Sequence, residues 1–541
     1  MFYMKKFRIY FLIIFLVELF SLIGFLLPQF REISFFVILG ITLLLAVEKL
    51  EYGILILLTE LFIGSKGYLF FYEYEGISIS IRMGLFLIIM SAWLGKMVLK
   101  WATVPSTKED DYFKLPKLKD KVVTFEDFKK WSEKLQVKTK NLSQTKNQSI
   151  YFYFAILFIF IAWGLVNGIL NNNSFNSIFF DFNGWVYFGI IFPFAYLLQN
   201  RNKKEKNNFA KNILIIFSTA ITWLSVKTLG LLYIFSHDFG IISEKLYRWV
   251  RITGVGEVNF TELGFSRIFI QSQVYVVIGL FIFLSLILYF ILKRNWKQLF
   301  YCSIVQLLLI ATILVSFSRS FWLGLGIGLL LYCFFVLLFF YKKWKAILLQ
   351  ILILIITSVL SIGLIWGIVR FPVPTPLSGF DLDMLSERAT SISGEAGVSS
   401  RWNLLPPLWE KIKQAPITGQ GFGSEVTYIS NDPRVREVSV SGEYTTYAFE
   451  WGWLDIWLKL GLFGLLAYVV LLIKIFWDGI IKIKKSEFKI RKLIYIALLS
   501  GLVMIIITSF FSPYLNHPLG IGYVVLVSLI LSSSGLTKLD A

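Results

Sequence analysis

Residues 316–331 read SFSRSFWLGLGIGLLL, and this stretch joins two long apolar runs at about 299–317 and 321–341. Only three polar residues, Ser-Arg-Ser centred on Arg319, separate the runs. Each run has about the 20 residues with which a helix crosses the hydrocarbon core of a bilayer. The stretch therefore predicts a tight turn between two membrane helices. Arg319 needs an explanation, because an arginine at the centre of a membrane helix costs roughly 2.5–3.5 kcal/mol.

The rest of the chain repeats this pattern of apolar blocks. The 541 residues are 57% hydrophobic and 18% aromatic, which excludes an ordinary soluble protein of this length. We predict an all-α, polytopic membrane protein with about fourteen membrane helices (12 to 14) and a large, partly helical extracytoplasmic loop. Residues 35–64 form either two of these spans or one re-entrant hairpin. The predicted spans are 9–27, 35–49, 51–64, 77–99, 150–170, 184–199, 212–235, 267–292, 299–317, 321–341, 346–369, 453–473, 493–511 and 519–534.

Charge predicts the orientation of these spans. With the N-terminus inside, the inward segments carry most of the 53 lysines and arginines, as the positive-inside rule requires. The net charge of +19 is therefore a topology signal, and we predict no nucleic-acid partner. The inward cations are mostly lysines, whereas arginines outnumber lysines outside. Because the guanidinium fork binds phosphate or carboxylate in a bidentate manner, the outer arginines either bind an anion or pair with the acidic residues there.

The chain divides into five regions by composition. They are the N-terminal membrane helices (1–99), a basic cytoplasmic loop (100–149), central membrane helices (150–369) with an outer loop (236–266), a large extracytoplasmic loop (370–452) and C-terminal membrane helices (453–541). Within the cytoplasmic loop, 124–136 predicts an amphipathic helix that either rests on the inner leaflet or docks a partner. Within the large loop, 400–416 predicts a helix with Ser399 or Ser400 as its cap and prolines near its first turn.

Two arginines stand out in the outer segments. Arg319 either reaches the lipid interface with its charged end or faces a cavity, and its tight turn favours the cavity. The glycines of GLGIG (324–328) after it predict close helix packing. Arg401 opens the predicted loop helix, where free backbone N–H groups favour an anion. A salt bridge from Arg401 to Glu395 or Glu410 is the alternative.

Other candidates are carboxylates, glycines and histidines. Glu450 and Asp455 could accept a proton from an acceptor hydroxyl or pair with an arginine. The TGQGFG segment around Gly421 could bring amides to a phosphate or form only a turn. His237, with Arg248 and Arg251, belongs either to the polar outer surface or to the substrate site. The only other histidine, His517, is predicted to be structural, and two histidines without a nearby cysteine predict no metal site.

Three segments together resemble the O-antigen ligase and O-antigen polymerase superfamily over about 300–465. They are SRS-x-WLGL (318–325), the loop segment from RW at 401 through PITGQGFG, and EWGWLDIWLKLGLFG (450–464) entering a helix. The resemblance implies glycosyl transfer outside the membrane from an undecaprenyl-pyrophosphate-linked sugar, without metal or other cofactor. By position, Arg319 and Arg401 match arginines that the family places near the donor pyrophosphate, and Arg267 is a third.

One departure separates this chain from the ligases it resembles. They usually carry a histidine about eleven residues before a glycine that corresponds to Gly461, and here Glu450 takes that place. We therefore predict a polymerase of O-antigen, capsule or exopolysaccharide in a bacterial plasma membrane, with its site on the extracytoplasmic side. Its expected partners are the lipid-linked donor, a glycan acceptor and membrane lipids, together with a chain-length regulator and a flippase. A ligase to lipid or protein, and a glycan exporter or flippase, remain alternatives.

Overall fold

The structure is a computed structural model that describes residues 2–74, 77–103, 150–199, 201–260, 265–377, 379–390, 396–439 and 441–532. Almost all of the predicted cytoplasmic loop, including its amphipathic helix at 124–136, lies outside the described residues, as does Glu395.

The described residues form helices and three short hairpins. The helices are α1 (Phe2–Leu26), α2 (Pro28–Glu48), α3 (Leu50–Ile63), α4 (Ile81–Thr103), α5 (Ile150–Leu170), α6 (Phe175–Val186), α7 (Ile191–Gln199), α8 (Lys203–Phe235), α9 (Ile241–Ile252), α10 (Gln273–Lys293), α11 (Trp296–Val315), α12 (Arg319–Phe340), α13 (Trp344–Val369), α14 (Leu382–Thr390), α15 (Ala396–Gln414), α16 (Pro433–Val438), α17 (Gly452–Lys485), α18 (Lys489–Thr508) and α19 (Pro518–Ser532). The antiparallel hairpins are β1 (Phe71–Tyr74) with β2 (Ile77–Ser80), β3 (Glu257–Phe260) with β4 (Ser266–Phe269), and β5 (Val426–Ile429) with β6 (Glu443–Thr446).

The predicted polytopic helical fold is confirmed. Within the described residues, 11 helical segments are long and apolar enough to cross a membrane. One of them, Arg319–Val369, contains both α12 and α13, which a short 3-10 turn at Tyr341–Lys343 connects. The count of fourteen spans stays a prediction. Helix α3 has 14 residues and α19 has 15, fewer than the roughly 20 that a full crossing takes.

Arg267 lies outside the span that we predicted to begin with it. It belongs to strand β4, and helix α10 begins six residues later at Gln273. The segment SRIF pairs with β3 and alternates buried with half-buried side chains, which is the two-residue period of a strand. The apolar run is therefore a hairpin strand followed by a helix, and Arg267 precedes the membrane helix.

Helix α15 also begins earlier than predicted. It starts at Ala396, so Ser400 lies inside the helix, and Pro406 and Pro407 are in its interior instead of its first turn. The hydroxyl of Ser400 accepts a hydrogen bond from the amide of Asn431, 2.8 Å away, just after β5. This contact ties the additional N-terminal turn to the β5–β6 hairpin.

Two of the three glycines of GLGIG, Gly324 and Gly328, pack helices together, as predicted, whereas Gly326 has open space beside it. A side chain at Gly324 would lie 2.5 Å from Oγ1 of Thr508 and 2.8 Å from the carbonyl oxygen of Met504 in α18. One at Gly328 would lie 2.6 Å from the ring of Phe281 in α10. The absence of side chains at these two glycines lets α12 lie directly against α18, which packs on α10 in turn.

Buried ion pairs tie the N-terminal helices to one another. Lys227 of α8 donates to Glu18 of α1 at 2.6 Å, and Arg82 donates to Glu60 of α3 at 2.8 Å. Arg82 is the second residue of α4, and Glu60 lies in the last turn of α3. Because charges away from water are tolerated when paired, these contacts fix the helix positions.

Candidate active site

The turn between α11 and α12 collects two guanidinium groups from outside the membrane helices. Nε of Arg267 donates to the carbonyl oxygen of Ser316 at 2.9 Å, and Nε of Arg388 donates to that of Phe317 at 3.2 Å. These carbonyls follow the last residue of α11, where a helix leaves carbonyl groups without intrahelical partners and carries partial negative charge. The end of α11 therefore attracts the two cations.

Arg319 adds a third guanidinium at the first residue of α12. Its Nε donates to the carbonyl oxygen of Arg388 at 2.7 Å, so the turn and α14 hold each other by reciprocal hydrogen bonds. The flanking serines fasten the turn, since Ser320 lies 3.2 Å from both Ser318 and Ser512 between hydroxyl oxygens. A helix start favours anions over cations, so Arg319 stands where a bound anion would be stabilised by both the helix and the guanidinium.

Aromatic packing brings Arg388 to this place. The ring of Phe265 lies 5.2 Å from that of Phe317 in the turn and 5.3 Å from that of Phe380, which precedes α14. Because these rings are buried, the start of α14 is anchored beside the turn. We did not single out Arg388 from the sequence. The only signal was its membership of the large loop (370–452), which we predicted to lie outside with several arginines, and its place depends on a contact across 71 positions.

Arg401 of α15 brings a fourth guanidinium group to this site, and it forms an ion pair with Glu450. We predicted that Glu450 would either accept a proton or pair with an arginine, and in the structure it pairs with an arginine. The alternative partner Glu410 instead accepts from Lys413 at 2.9 Å on the same helix. The indole N–H of Trp451 donates to the carbonyl oxygen of Arg401 at 2.9 Å, which joins α15 to the start of α17.

The four arginines, Arg267, Arg319, Arg388 and Arg401, are close enough to perturb one another, and we call them the arginine cluster. Burial, and then the charges of the other three, lower the pKa of Arg388 to about 10. Burial and neighbouring arginines also lower the pKa of Arg267 and of Arg401, whereas Glu257 opposes both shifts. Positive charge is thus concentrated at this place, and a bound polyanion would relieve the repulsion between the guanidinium groups.

The other predicted binding residues lie apart from these contacts. His237 is 1% exposed, and its ring nitrogens lie 2.8 and 2.7 Å from the carbonyl oxygens of Tyr233 and Phe371. This histidine joins the end of α8 to the start of the large loop. On α9, Arg248 pairs with Glu244 at 2.6 Å, and the guanidinium of Arg251 lies 6.0 Å from the ring of Tyr247.

Gly421 belongs to a loop that wedges between membrane helices. Its φ is +78°, and an added Cβ would overlap the backbone of Gly168 in α5. The amide of Phe422 donates to the carbonyl oxygen of Gly164 at 2.9 Å, and the amide of Gly423 donates to Asp181 at 2.9 Å. Because these amides bond within the protein, the contacts favour the turn over the phosphate-binding alternative for TGQGFG.

We expect Gly421→Ala to destabilise the folded protein by about 3 kcal/mol or more, through left-handed backbone strain and overlap with Gly168. Gly326→Ala is the matched control, because nothing lies within 4 Å of its added methyl group. Chemical unfolding of both variants in detergent micelles measures the difference. Equal stability of the two variants would contradict the close packing of this loop against Gly168 of α5.

A buried charge network lies beside this loop. Lys459 of α17 donates at 2.6 Å to Asp181 of α6 and at 2.6 Å to Asp455, and Asn516 donates to Asp455. All three charged side chains are at most 7% exposed. We predicted either a proton-accepting role or an arginine partner for Asp455, and the structure gives it a lysine partner. The spacing of Asp455 and Lys459, four positions apart on one helix, was the available signal.

The match to a known family falls on the segment that builds most of this site. Residues 304–469 match the sequence model of the O-antigen ligase family, and this range contains Arg319, Arg388, Arg401 and Glu450. No curated protein and no solved structure matches the chain. The family implies glycosyl transfer that uses a lipid-linked glycan. The O-antigen ligase domain at residues 304–469 supports the assignment of this protein to the O-antigen ligase and polymerase family.

Proposed function

We propose that the protein is a polymerase that joins undecaprenyl-pyrophosphate-linked oligosaccharide repeat units at the outer face of a bacterial plasma membrane. The products would be O-antigen, capsule or exopolysaccharide. The observation that carries this proposal is the arginine cluster, in which a membrane turn, the β3–β4 hairpin and the large loop bring four guanidinium groups together.

The cluster suits the chemistry of a pyrophosphate leaving group. An acceptor hydroxyl oxygen attacks the anomeric carbon of the donor sugar, a new glycosidic bond forms, and the bond from that carbon to the pyrophosphate oxygen breaks. The hydroxyl proton passes to water, and undecaprenyl pyrophosphate departs with the bonding electrons. Guanidinium groups held in place before the reaction stabilise the charge that develops on the leaving oxygen. Arg319 and Arg401 are the proposed catalytic arginines, and Arg267 and Arg388 bind the pyrophosphate with them.

Glu450 is proposed to orient the acceptor hydroxyl. It is half exposed and is held by Arg401, so it stands beside the cluster with access to a substrate. The resemblance supports this role, since ligases usually have a histidine where this chain has Glu450. Because the pyrophosphate already leaves as a stable anion, positioning contributes more here than proton removal.

The orientation and the five regions that we predicted remain part of the proposal. The charge pattern places the cluster outside and the basic segment 100–149 inside. Donor and acceptor glycans and membrane lipids are the direct partners. A chain-length regulator and a flippase would act with the polymerase. Arg248 and Arg251, on the outer loop 236–266, are proposed to act only through glycan contacts away from the cluster. His237 is buried and is proposed to support this loop from beneath instead of touching a glycan.

A ligase is the second candidate, because the matching family model is described as O-antigen ligase. The deciding assay places purified full-length protein in nanodiscs with a synthetic undecaprenyl-pyrophosphate repeat unit. A ladder of longer lipid-linked glycans supports the polymerase. Transfer that occurs only after adding a lipid or protein acceptor would establish the ligase. Intact substrate that moves between leaflets of proteoliposomes, with no new bond, would establish an exporter or flippase and contradict both transferases.

We expect Glu450→Gln to lower kcat about 100-fold, with little change in the KM for the donor, because the carboxylate acts on the acceptor. Glu443→Gln is the control, since Glu443 is an exposed carboxylate on the nearby strand β6. Initial rates of ladder formation measure both variants. Wild-type rates for Glu450→Gln would remove Glu450 from the site.

A further inference from the structure

An apolar pocket lies between four helices at the end of the molecule where α18 begins. Its wall includes Phe217 of α8, Ile282 of α10, Ile494 and Leu498 of α18, and Leu526 of α19. The cavity has a volume of about 90 Å³. Since a helix rises about 1.5 Å per residue, the wall extends roughly 10 Å along α18 from Arg491 to Leu498. A narrow apolar channel of this length accommodates part of one hydrocarbon chain.

Arg491 lines the same pocket, and it forms no ion pair with any of the described residues. The residue is 6% exposed, yet its Nε and Nη2 have no hydrogen-bond acceptor among the described residues. The ring of Phe488 lies 4.3 Å from the guanidinium carbon, but a ring offers no carboxylate or phosphate oxygen. Leaving a buried cation without an anion is strongly unfavourable, so these nitrogens point to an acidic ligand.

The start of α18 is a second, independent indication of an anion. Its first turn contains Lys489, Arg491 and Lys492 and no acidic residue. Positive side chains at a helix N-terminus are repelled by the partial positive charge of the helix dipole. A bound anion compensates the charge of the side chains and that of the helix end. Lys489 and Lys492 line a separate cavity of about 440 Å³ together with Lys342, Lys343 and Glu487. The start of α18 is thus predominantly basic.

We propose that this pocket binds an anionic phospholipid of the inner leaflet. One acyl chain enters the channel between α8, α10, α18 and α19, and the headgroup phosphate accepts hydrogen bonds from Nε and Nη2 of Arg491. The charge pattern predicts that this end of α18 lies on the cytoplasmic side, where the membrane surface is anionic. The lipid completes the packing of the four helices, independently of the glycosyl transfer proposed above.

The test uses delipidated full-length protein with phosphatidylglycerol, phosphatidylcholine and undecaprenyl phosphate as probes. Native mass spectrometry measures binding, and diazirine-labelled chains map its position. We expect phosphatidylglycerol to bind and to crosslink at Ile494, Leu498 or Leu526, and phosphatidylcholine to bind at least about tenfold more weakly. Binding of undecaprenyl phosphate alone, equal binding of both phospholipids, or crosslinks elsewhere would overturn the proposal.

Two variants separate the charge from the channel. Arg491→Gln should weaken phosphatidylglycerol binding about tenfold and leave the melting temperature of the lipid-free protein unchanged or higher, because it removes a buried unbalanced charge. Ile494→Trp should fill the channel and abolish crosslinking of the acyl chain. Lys297→Gln, at an exposed lysine of α11 outside the pocket, should bind as the wild type does. Loss of folding in Arg491→Gln without lipid would show a purely structural role.

Discussion

Replacing Arg319 by lysine is expected to reduce the rate of glycan ladder formation roughly 100- to 1000-fold, the loss typical when a preorganised charge-stabilising donor is removed. Lysine keeps the positive charge but not the planar fork, and it cannot hold the Nε contact to the carbonyl of Arg388 while it binds two phosphate oxygens. Arg319→Ala should lose at least as much activity. The measurement is the initial rate of ladder formation in nanodiscs.

The matched control for this effect is Arg370→Lys. Arg370 is an exposed arginine at the end of α13, and its guanidinium lies 5.8 Å from the ring of Trp366. This variant should retain the wild-type rate. Equal activity of Arg319→Lys and the wild type would refute the requirement for a guanidinium fork. A folded Arg319→Ala protein with normal activity would remove Arg319 from the proposed site altogether.

Replacing Lys459 by methionine is expected to destabilise the protein by about 3–5 kcal/mol, the usual cost of leaving one partner of a buried ion pair uncompensated. The variant leaves Asp181 and Asp455 buried without their shared cation. Because Asp181 also accepts from the amide of Gly423, the loop around Gly421 should loosen as well. Chemical unfolding in detergent micelles measures the loss.

A charge-neutral version of the same site tests the reason for this loss. The triple variant Asp181→Asn, Asp455→Asn, Lys459→Met should recover most of the stability, since no buried charge is then left alone. Lys413→Met is the control, because the Lys413–Glu410 pair is exposed on α15, and it should change stability by less than about 1 kcal/mol. If the triple variant is no more stable than Lys459→Met, the stabilising effect of the network does not come from charge balance.

The sequence predicted the fold class because membrane insertion imposes a length and an apolar composition on each helix. It also predicted the close packing at Gly324 and Gly328, since the absence of a side chain is a local property. It did not predict that Arg267 lies in a strand. A short apolar run is compatible with either a strand or a helix, and only pairing with another strand distinguishes the two. Strand β3 is that pairing partner.

The residues of the site also divide into those that the sequence indicated and those that only the structure showed. Residue type and local position indicated Arg319, Arg401 and Glu450, because an arginine in a membrane turn and a carboxylate near an interface are unusual in themselves. Only the tertiary structure showed that Arg388 contacts the turn and that Lys459 pairs with Asp181. These contacts join residues that are 71 and 278 positions apart in the chain. The sequence by itself determined a polytopic helical protein with arginines on its predicted outer side. The tertiary structure decided which of these arginines share one charge cluster, because long-range contacts depend on how helices and loops pack and not on local composition.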